Sequence, residues 1–267
     1  MIIRHLETDA GPENNCFVAY DDLEEEIGEA SVVETMVDML CPSRPHHLLV
    51  RTQCRQEAQD ALLGAATARA MLLARMTPDA AARIYAECPP DDEARMAALK
   101  LLGFRDDDGL VRMRKTLVRG PITKPLPAGC TIVRDYLLDE LEQRYFLERY
   151  NAMFARSKDM AWLKAVRGMP DFARVLVISR DGLAGEMLTW SDNDVAVVGI
   201  IQTTPAWQRR GVGSYLMEYA RIYWLDTGLK SAYFDVWTRL TGAVRLAATS
   251  GFRPAETLMR YPGIDIG

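Results

Sequence analysis

Histidine is scarce in this sequence: His5, His46 and His47 are the only three, and no H-E-x-x-H string appears. Two of them are neighbours, which a strand would send to opposite faces, so a histidine-built centre is excluded and no metal is expected. A G-x-S-x-G elbow and a Walker A loop are missing too. So is a G-x-G-x-x-G following a strand, which removes the dinucleotide-binding reading. No Lys/Arg run is long enough to track a phosphate backbone, and the formal net charge is −5. Nucleic acid is therefore not an expected partner, and a cationic or neutral substrate suits the surface better. The five cysteines, Cys16, Cys41, Cys54, Cys88 and Cys130, are odd in number and form no C-x-x-C pair, the pattern of reduced structural thiols. Long hydrophobic runs are absent as well. The longest apolar helical stretch, Ala58 to Met76, carries Arg69 and Arg75, and the N-terminus has no basic segment leading into an apolar one. No membrane partner is expected, and the cytoplasm is the expected compartment.

What remains is an ordinary globular composition, 49% hydrophobic and 26% charged over 267 residues, enough chain for two domains. Pro121, Pro125 and Pro127 force extended backbone and remove amide donors, which marks 120–129 as a linker between domains at 1–119 and 130–267. Beyond it, Thr131 to Arg134 reads as a strand and Asp135 to Gly168 as a helix pair. Arg174 to Ser179 and Leu183 to Trp190 form a hairpin about Arg180-Asp181-Gly182. Val195 to Ile201 is apolar on both faces, as a strand buried mid-sheet requires. A helix then runs from Gly211, with Val212, Tyr215, Leu216, Tyr219, Ile222 and Tyr223 on one stripe and Gly228 as its stop. Ser231 to Trp237 is a strand, Thr241 to Ser250 a helix, and Phe252 to Tyr261 a final extended pair.

The first half echoes this order. Ile2 to Arg4 matches Ile132 to Arg134, Gly28-Glu29 matches Gly185-Glu186, and Tyr85, Glu87, Gly103 and Phe104 match Tyr233, Asp235, Gly251 and Phe252. The chain reads as a duplicated unit. Only 26 positions separate Ile2 from Gly28, against 53 from Ile132 to Gly185, so the first copy has no room for the helix pair.

Between the buried strand and the amphipathic helix stands Gln208-Arg209-Arg210-Gly211-Val212-Gly213. A helix start offers unpaired N–H groups and the positive end of its dipole, and glycines let a phosphate approach the backbone, so this reads as a pyrophosphate cradle. The alternative use of Gly211 and Gly213 is a tight turn and close packing. With Pro205 upstream, the strand after the helix and the closing Ser250-Gly251-Phe252, the second half resembles the GNAT superfamily of acyl-CoA N-acyltransferases, from about Thr131 to Tyr261. The whole chain resembles a tandem GNAT protein with a degenerate first copy. The resemblance implies an α+β fold of two GNAT-like domains, each a mixed, mainly antiparallel twisted sheet flanked by helices. It implies acetyl-CoA as acyl donor, main-chain groups of Ile201, Gln202 and Thr203 on the pantetheine arm, and Gln208, Arg209, Arg210, Gly211, Val212, Gly213 and Ser214 about the pyrophosphate. It also implies N-acetyl transfer to a primary amine of a small molecule or peptide by direct attack in a ternary complex, and is compatible with a homodimer.

Direct attack needs a neutral amine, and an amine of pKa near 10 is mostly charged at neutral pH, so a carboxylate is the expected base. Glu186, interrupting an apolar strand, and Asp235, between Phe234 and Val236, are the candidates. Structural acceptors are the alternative, because Glu29 and Glu87 hold the corresponding places in the first copy. Where the family carries an asparagine and an acidic tyrosine in the last helix, this sequence has Leu240 and Ala247. That loss supports a second reading, a non-catalytic coenzyme A-binding regulatory or scaffold protein; a longer-chain acyl or aminoacyl transferase is a third. In the first copy the cradle position reads Gln53 to Ala58 without a glycine and with Glu57, so that copy is expected to bind no coenzyme A and to complete the acceptor cleft or an interface instead.

Overall fold

The computed structural model describes residues 1–6, 15–154 and 158–267. The chain forms two compact units: Met1–Leu110 with Met153–Ala155 and Thr257–Gly267, and Val111–Ala152 with Arg156–Glu256.

In the first unit, β1 (Ile2–Leu6), β2 (Cys16–Tyr20), β3 (Glu26–Met36) and β4 (His46–Cys54) precede α1 (Gln56–Met76), β5 (Ala82–Ala86) and α2 (Glu93–Leu101). Helix α1 buries Ala58, Leu62, Leu63, Ala66, Ala70, Leu73 and Ala74, a stripe three and four residues apart that packs on the sheet. Strands β4 and β5 run parallel and the other described pairs antiparallel. Of the span between β1 and β2, residues 7–14 lie outside the described residues.

The second unit repeats the order: β7 (Cys130–Asp135), α3 (Glu140–Phe154), α4 (Met160–Arg167), β8 (Ala173–Ser179), β9 (Gly182–Asp192), β10 (Val195–Thr203), α5 (Val212–Asp226), β11 (Ser231–Trp237) and α6 (Thr241–Thr249). Residues 155–157, inside the stretch read as a helix pair, lie outside the described residues. Here β10 and β11 are the parallel pair. The duplication extends to atoms. Gly103 follows α2 at φ 91° and Gly251 follows α6 at φ 89°, and the next amide closes on the helix in the same way, Phe104 N–H to Leu99 O at 3.1 Å and Phe252 N–H to Ala247 O at 3.0 Å. Both helices thus end in a glycine turn that buries a phenylalanine.

The last strands depart from the sequence reading. β12 (Arg253–Arg260) and β13 (Gly263–Ile266) do not pair with each other. The first sheet has the order β1-β2-β3-β4-β5-β13, so the end of the chain pairs antiparallel with β5. The second has the order β12-β6-β11-β10-β9-β8-β7, and it contains β6 (Gly109–Thr116) from the end of the first copy. The units therefore divide within β6 and β12. Residues 117–129 carry neither helix nor strand. Buried Arg221 of α5 holds this stretch, donating to the carbonyls of Val118, Gly120 and Pro121 at 2.9–3.1 Å. No helix among the described residues is long and apolar enough to cross a membrane.

Candidate active site

Strand β10 begins as a central strand and ends as an open edge. Ala196, Val197 and Val198 pair with Ala232, Tyr233 and Phe234 of β11, and there the parallel ladder stops. On its other side β10 stays paired with β9 as far as Thr203 and Gly185, through an irregularity between Val198 and Ile200. Gly199 stands in that irregularity, where the Trp190 ring occupies the space of a side chain, with carbons 1.9 and 2.0 Å from where a Cβ would be. Past Val198, then, β10 diverges from β11. Ile201 and Thr203 turn toward α5, Ile201 packing on its core and the Thr203 hydroxyl facing Gly213. Ile200 and Gln202 turn to the other face, toward α3 and α4.

After β10 the chain makes a short 3-10 turn, Pro205–Trp207, and enters α5. Arg209 at φ 59° and Gly211 at φ 88° are both left-handed, bending the exposed segment 208–211 back to the helix start. Gly211 is the N-cap and supplies no side-chain cap. Because the first hydrogen bond of the helix is Tyr215 N–H to Gly211 O at 2.9 Å, the amides of Val212, Gly213 and Ser214 have no helical partner. Gly185 lets this helix start come down on the sheet, since a Cβ there would lie 2.6 Å from Val212 Cγ1 and 2.8 Å from Gln202 O. Arg210 lies over the Trp207 ring at 5.3 Å, and Gln208 Nε2 reaches Thr203 O at 3.5 Å. The arrangement is a set of free amides at the positive end of a 15-residue helix, beside an unpaired strand edge.

Both candidate carboxylates face away from α5. Asp235, on β11, is gripped at both oxygens by Arg112 of β6, at 2.8 Å each, and the guanidinium lies 4.0 Å from the Tyr233 ring centre. The hydrogen bonds that Arg112 donates to Asp235 raise its pKa further, so this is a fixed ion pair. Glu186, on β9, is fully buried and stands opposite Gln202. It accepts from Gln202 Nε2 and from Arg149 of α3, whose Nε and Nη2 lie 3.1 and 3.2 Å from its two oxygens. Gln202 Oε1 is buried with no hydrogen-bond partner. Leu240 is the N-cap of α6 and Ala247 is its one fully buried residue, so neither offers a proton. Tyr215 and Tyr223 belong to the core, and burial pushes both phenols above their ordinary pKa.

The sequence reading missed Arg149 and the side chain of Gln202. A signal for the second was present: Glu29 stands opposite Gln53 across β3 and β4, as Glu186 stands opposite Gln202. In the first unit β4 passes into α1 through Arg55 alone. Arg95 of α2 crosses the gap beside β4, donating to Thr52 Oγ1 and Glu87 O at 2.8 Å each.

No protein family and no curated protein matches the chain by sequence. Solved structures do match its fold. A GCN5-related N-acetyltransferase from Sphaerobacter thermophilus is 16% identical, with a TM-score of 0.53 over 97% of this chain and 82% of its own. A conserved protein of unknown function from Enterococcus faecalis, named a probable N-acyltransferase, is 12% identical with a TM-score of 0.55, over 92% of this chain and 61% of its own. A tandem GNAT protein from the clavulanic acid biosynthesis pathway is 14% identical with a TM-score of 0.45, over 94% of this chain and 82% of its own. The fold is the GNAT fold. It is present in two copies, and among the described residues only the second has both the diverging strand pair and a glycine-led helix start.

Proposed function

We propose that the second GNAT unit transfers an acetyl group from acetyl-CoA to a primary amine of a small molecule or peptide, by direct attack in a ternary complex. The observation that carries this reading is the divergence of β10 from β11 onto the uncapped start of α5. The donor fits these residues. The free amides of Val212, Gly213 and Ser214, with Arg209, Arg210 and Gln208 around them, offer a diphosphate the helix dipole and close backbone approach. The open edge of β10 at Ile201, Gln202 and Thr203 offers amide groups to a pantetheine arm, much as a neighbouring strand would.

In the reaction the amine lone pair attacks the thioester carbon, the C–S bond breaks, and the amine proton leaves. Both carboxylates are held at both oxygens, Asp235 by Arg112 and Glu186 by Arg149; Glu186 is the better placed to receive that proton because it stands opposite Gln202, at the open edge of β10. Asp235, on β11, acts as a structural charge. A thiol of reference pKa near 8.5 leaves acceptably without a dedicated acid, which accommodates Leu240 and Ala247. Reduced thiols and a cytoplasmic setting accord with this reading.

The same two residues favour a second reading, a coenzyme A-binding regulatory or scaffold protein without turnover. Titration with coenzyme A, followed by thiol release from acetyl-CoA with a panel of amines, polyamines, aminoglycosides and peptides, separates the two. Binding with amine-dependent release supports transfer, binding alone supports the scaffold, and no binding rejects both.

A further inference from the structure

We infer that Gln202 selects the acceptor, its side-chain Oε1 receiving an N–H of the incoming amine; the inference rests on the acyltransfer reading. Gln202 is 8% exposed and its Oε1 has no partner, an omission that buried polar groups seldom carry without a use. The orientation of the amide is dictated by its neighbours. Arg149 donates to both Glu186 oxygens, and a carboxylate in that pairing accepts, so it takes the Nε2 end of the amide. The acceptor end is then turned away from Glu186 and cannot flip without setting oxygen against carboxylate. Gln202 also stands beyond Val198, the last β10 residue paired with β11, on the face opposite α5 and the cradle. Donor and acceptor would thus meet at one strand from opposite faces. The matching pair in the first unit, Glu29 and Gln53, is solvent-exposed. Burial is what converts the pair in the second unit into a selective contact. A primary amine supplies the missing donor, and a quaternary ammonium of equal charge does not.

The test uses the full chain, the best amine of the panel, and its trimethylammonium analogue as inhibitor. Gln202→Met conserves volume and removes the contact. The expected result is an amine KM raised about tenfold, the loss of one good hydrogen bond, with the acetyl-CoA KM and the inhibition constant of the analogue within about twofold of wild type. An unchanged amine KM in this variant, with acetyl-CoA KM retained, overturns the inference and leaves the acyltransfer reading standing. Should Gln202→Met fail to fold, Glu186→Gln decides, because a neutral amide opposite Gln202 frees it to present either end. The preference for the amine over its analogue should narrow, and a preference equal to wild type overturns the inference. A wild-type protein that releases no thiol with any amine overturns the acyltransfer reading, and this inference with it.

Discussion

The place of a single methyl group tests the contact between α5 and the sheet. At Gly185 a Cβ would meet Val212 Cγ1 and the Gln202 carbonyl inside contact distance. Gly185→Ala should therefore cost about 1–3 kcal/mol and weaken coenzyme A binding, read from the urea midpoint and calorimetry on one preparation; unaltered values would show that α5 shifts freely. The carboxylates separate by rate. Glu186→Gln should lower kcat on the order of 100-fold, whereas Asp235→Asn should leave kcat near wild type and act through stability. Lys115 gives a stability test. Burial lowers the pKa of its ammonium, which donates to Ser250 O at 2.6 Å. Just below the unfolded value of about 10.4, the unfolded chain binds more protons than the folded one, so this group makes stability rise with pH in that window. The rise should be present in urea midpoints of wild type and missing in Lys115→Met.

At the scale of elements, the two copies differ in how strand passes into helix. In the second, two left-handed residues and an uncapped α5 leave amides free; in the first, β4 reaches α1 through one residue and Arg95 spans the gap beside it. Calorimetry should accordingly find one coenzyme A per chain, and Gly211→Ala, which forces a side chain to φ 88°, should weaken that single site while costing about 1–2 kcal/mol. Two equivalent sites would refute the assignment of the first copy as degenerate. Much of this was legible in the residues. The apolar stripe of α5, the doubly buried β10 and the Gly103-Phe104 and Gly251-Phe252 stops are local patterns, and local patterns survive folding because they encode periodicity and turn chemistry. Arg149 was not legible, because it meets Glu186 from 37 positions away and its helical spacing alone assigns it to a solvated face. Gln202 was signalled by the matching Glu29 and Gln53 of the first copy, but its burial was not. A strand position shows which face it takes, and burial of that face depends on helices packed later.

For the whole chain, the decisive feature is the exchange of final strands. The sequence reading names no strand at 109–116 and ends its last extended pair at Tyr261, so β6 and β13 are both missed, and each joins the other copy's sheet. A chain starting near residue 128 contains the cradle, Glu186, Gln202 and every helix of the second unit, and by sequence alone it is a complete domain. It lacks β6, however, which stands between β11 and β12 and carries Arg112, the partner of Asp235. Without that strand β11 becomes an open edge with an unpaired carboxylate, and β12 has no neighbour in the sheet, the condition under which strands pair with other molecules. Residues 128–267 should therefore aggregate or unfold below the full chain's midpoint and bind coenzyme A poorly, whereas residues 106–261, which restore β6 and omit β13, should stay soluble and bind. Light scattering, thermal unfolding and calorimetry on the two truncated chains decide the matter: a stable, monomeric 128–267 with full-chain affinity would show that the exchanged strand contributes nothing to the second unit.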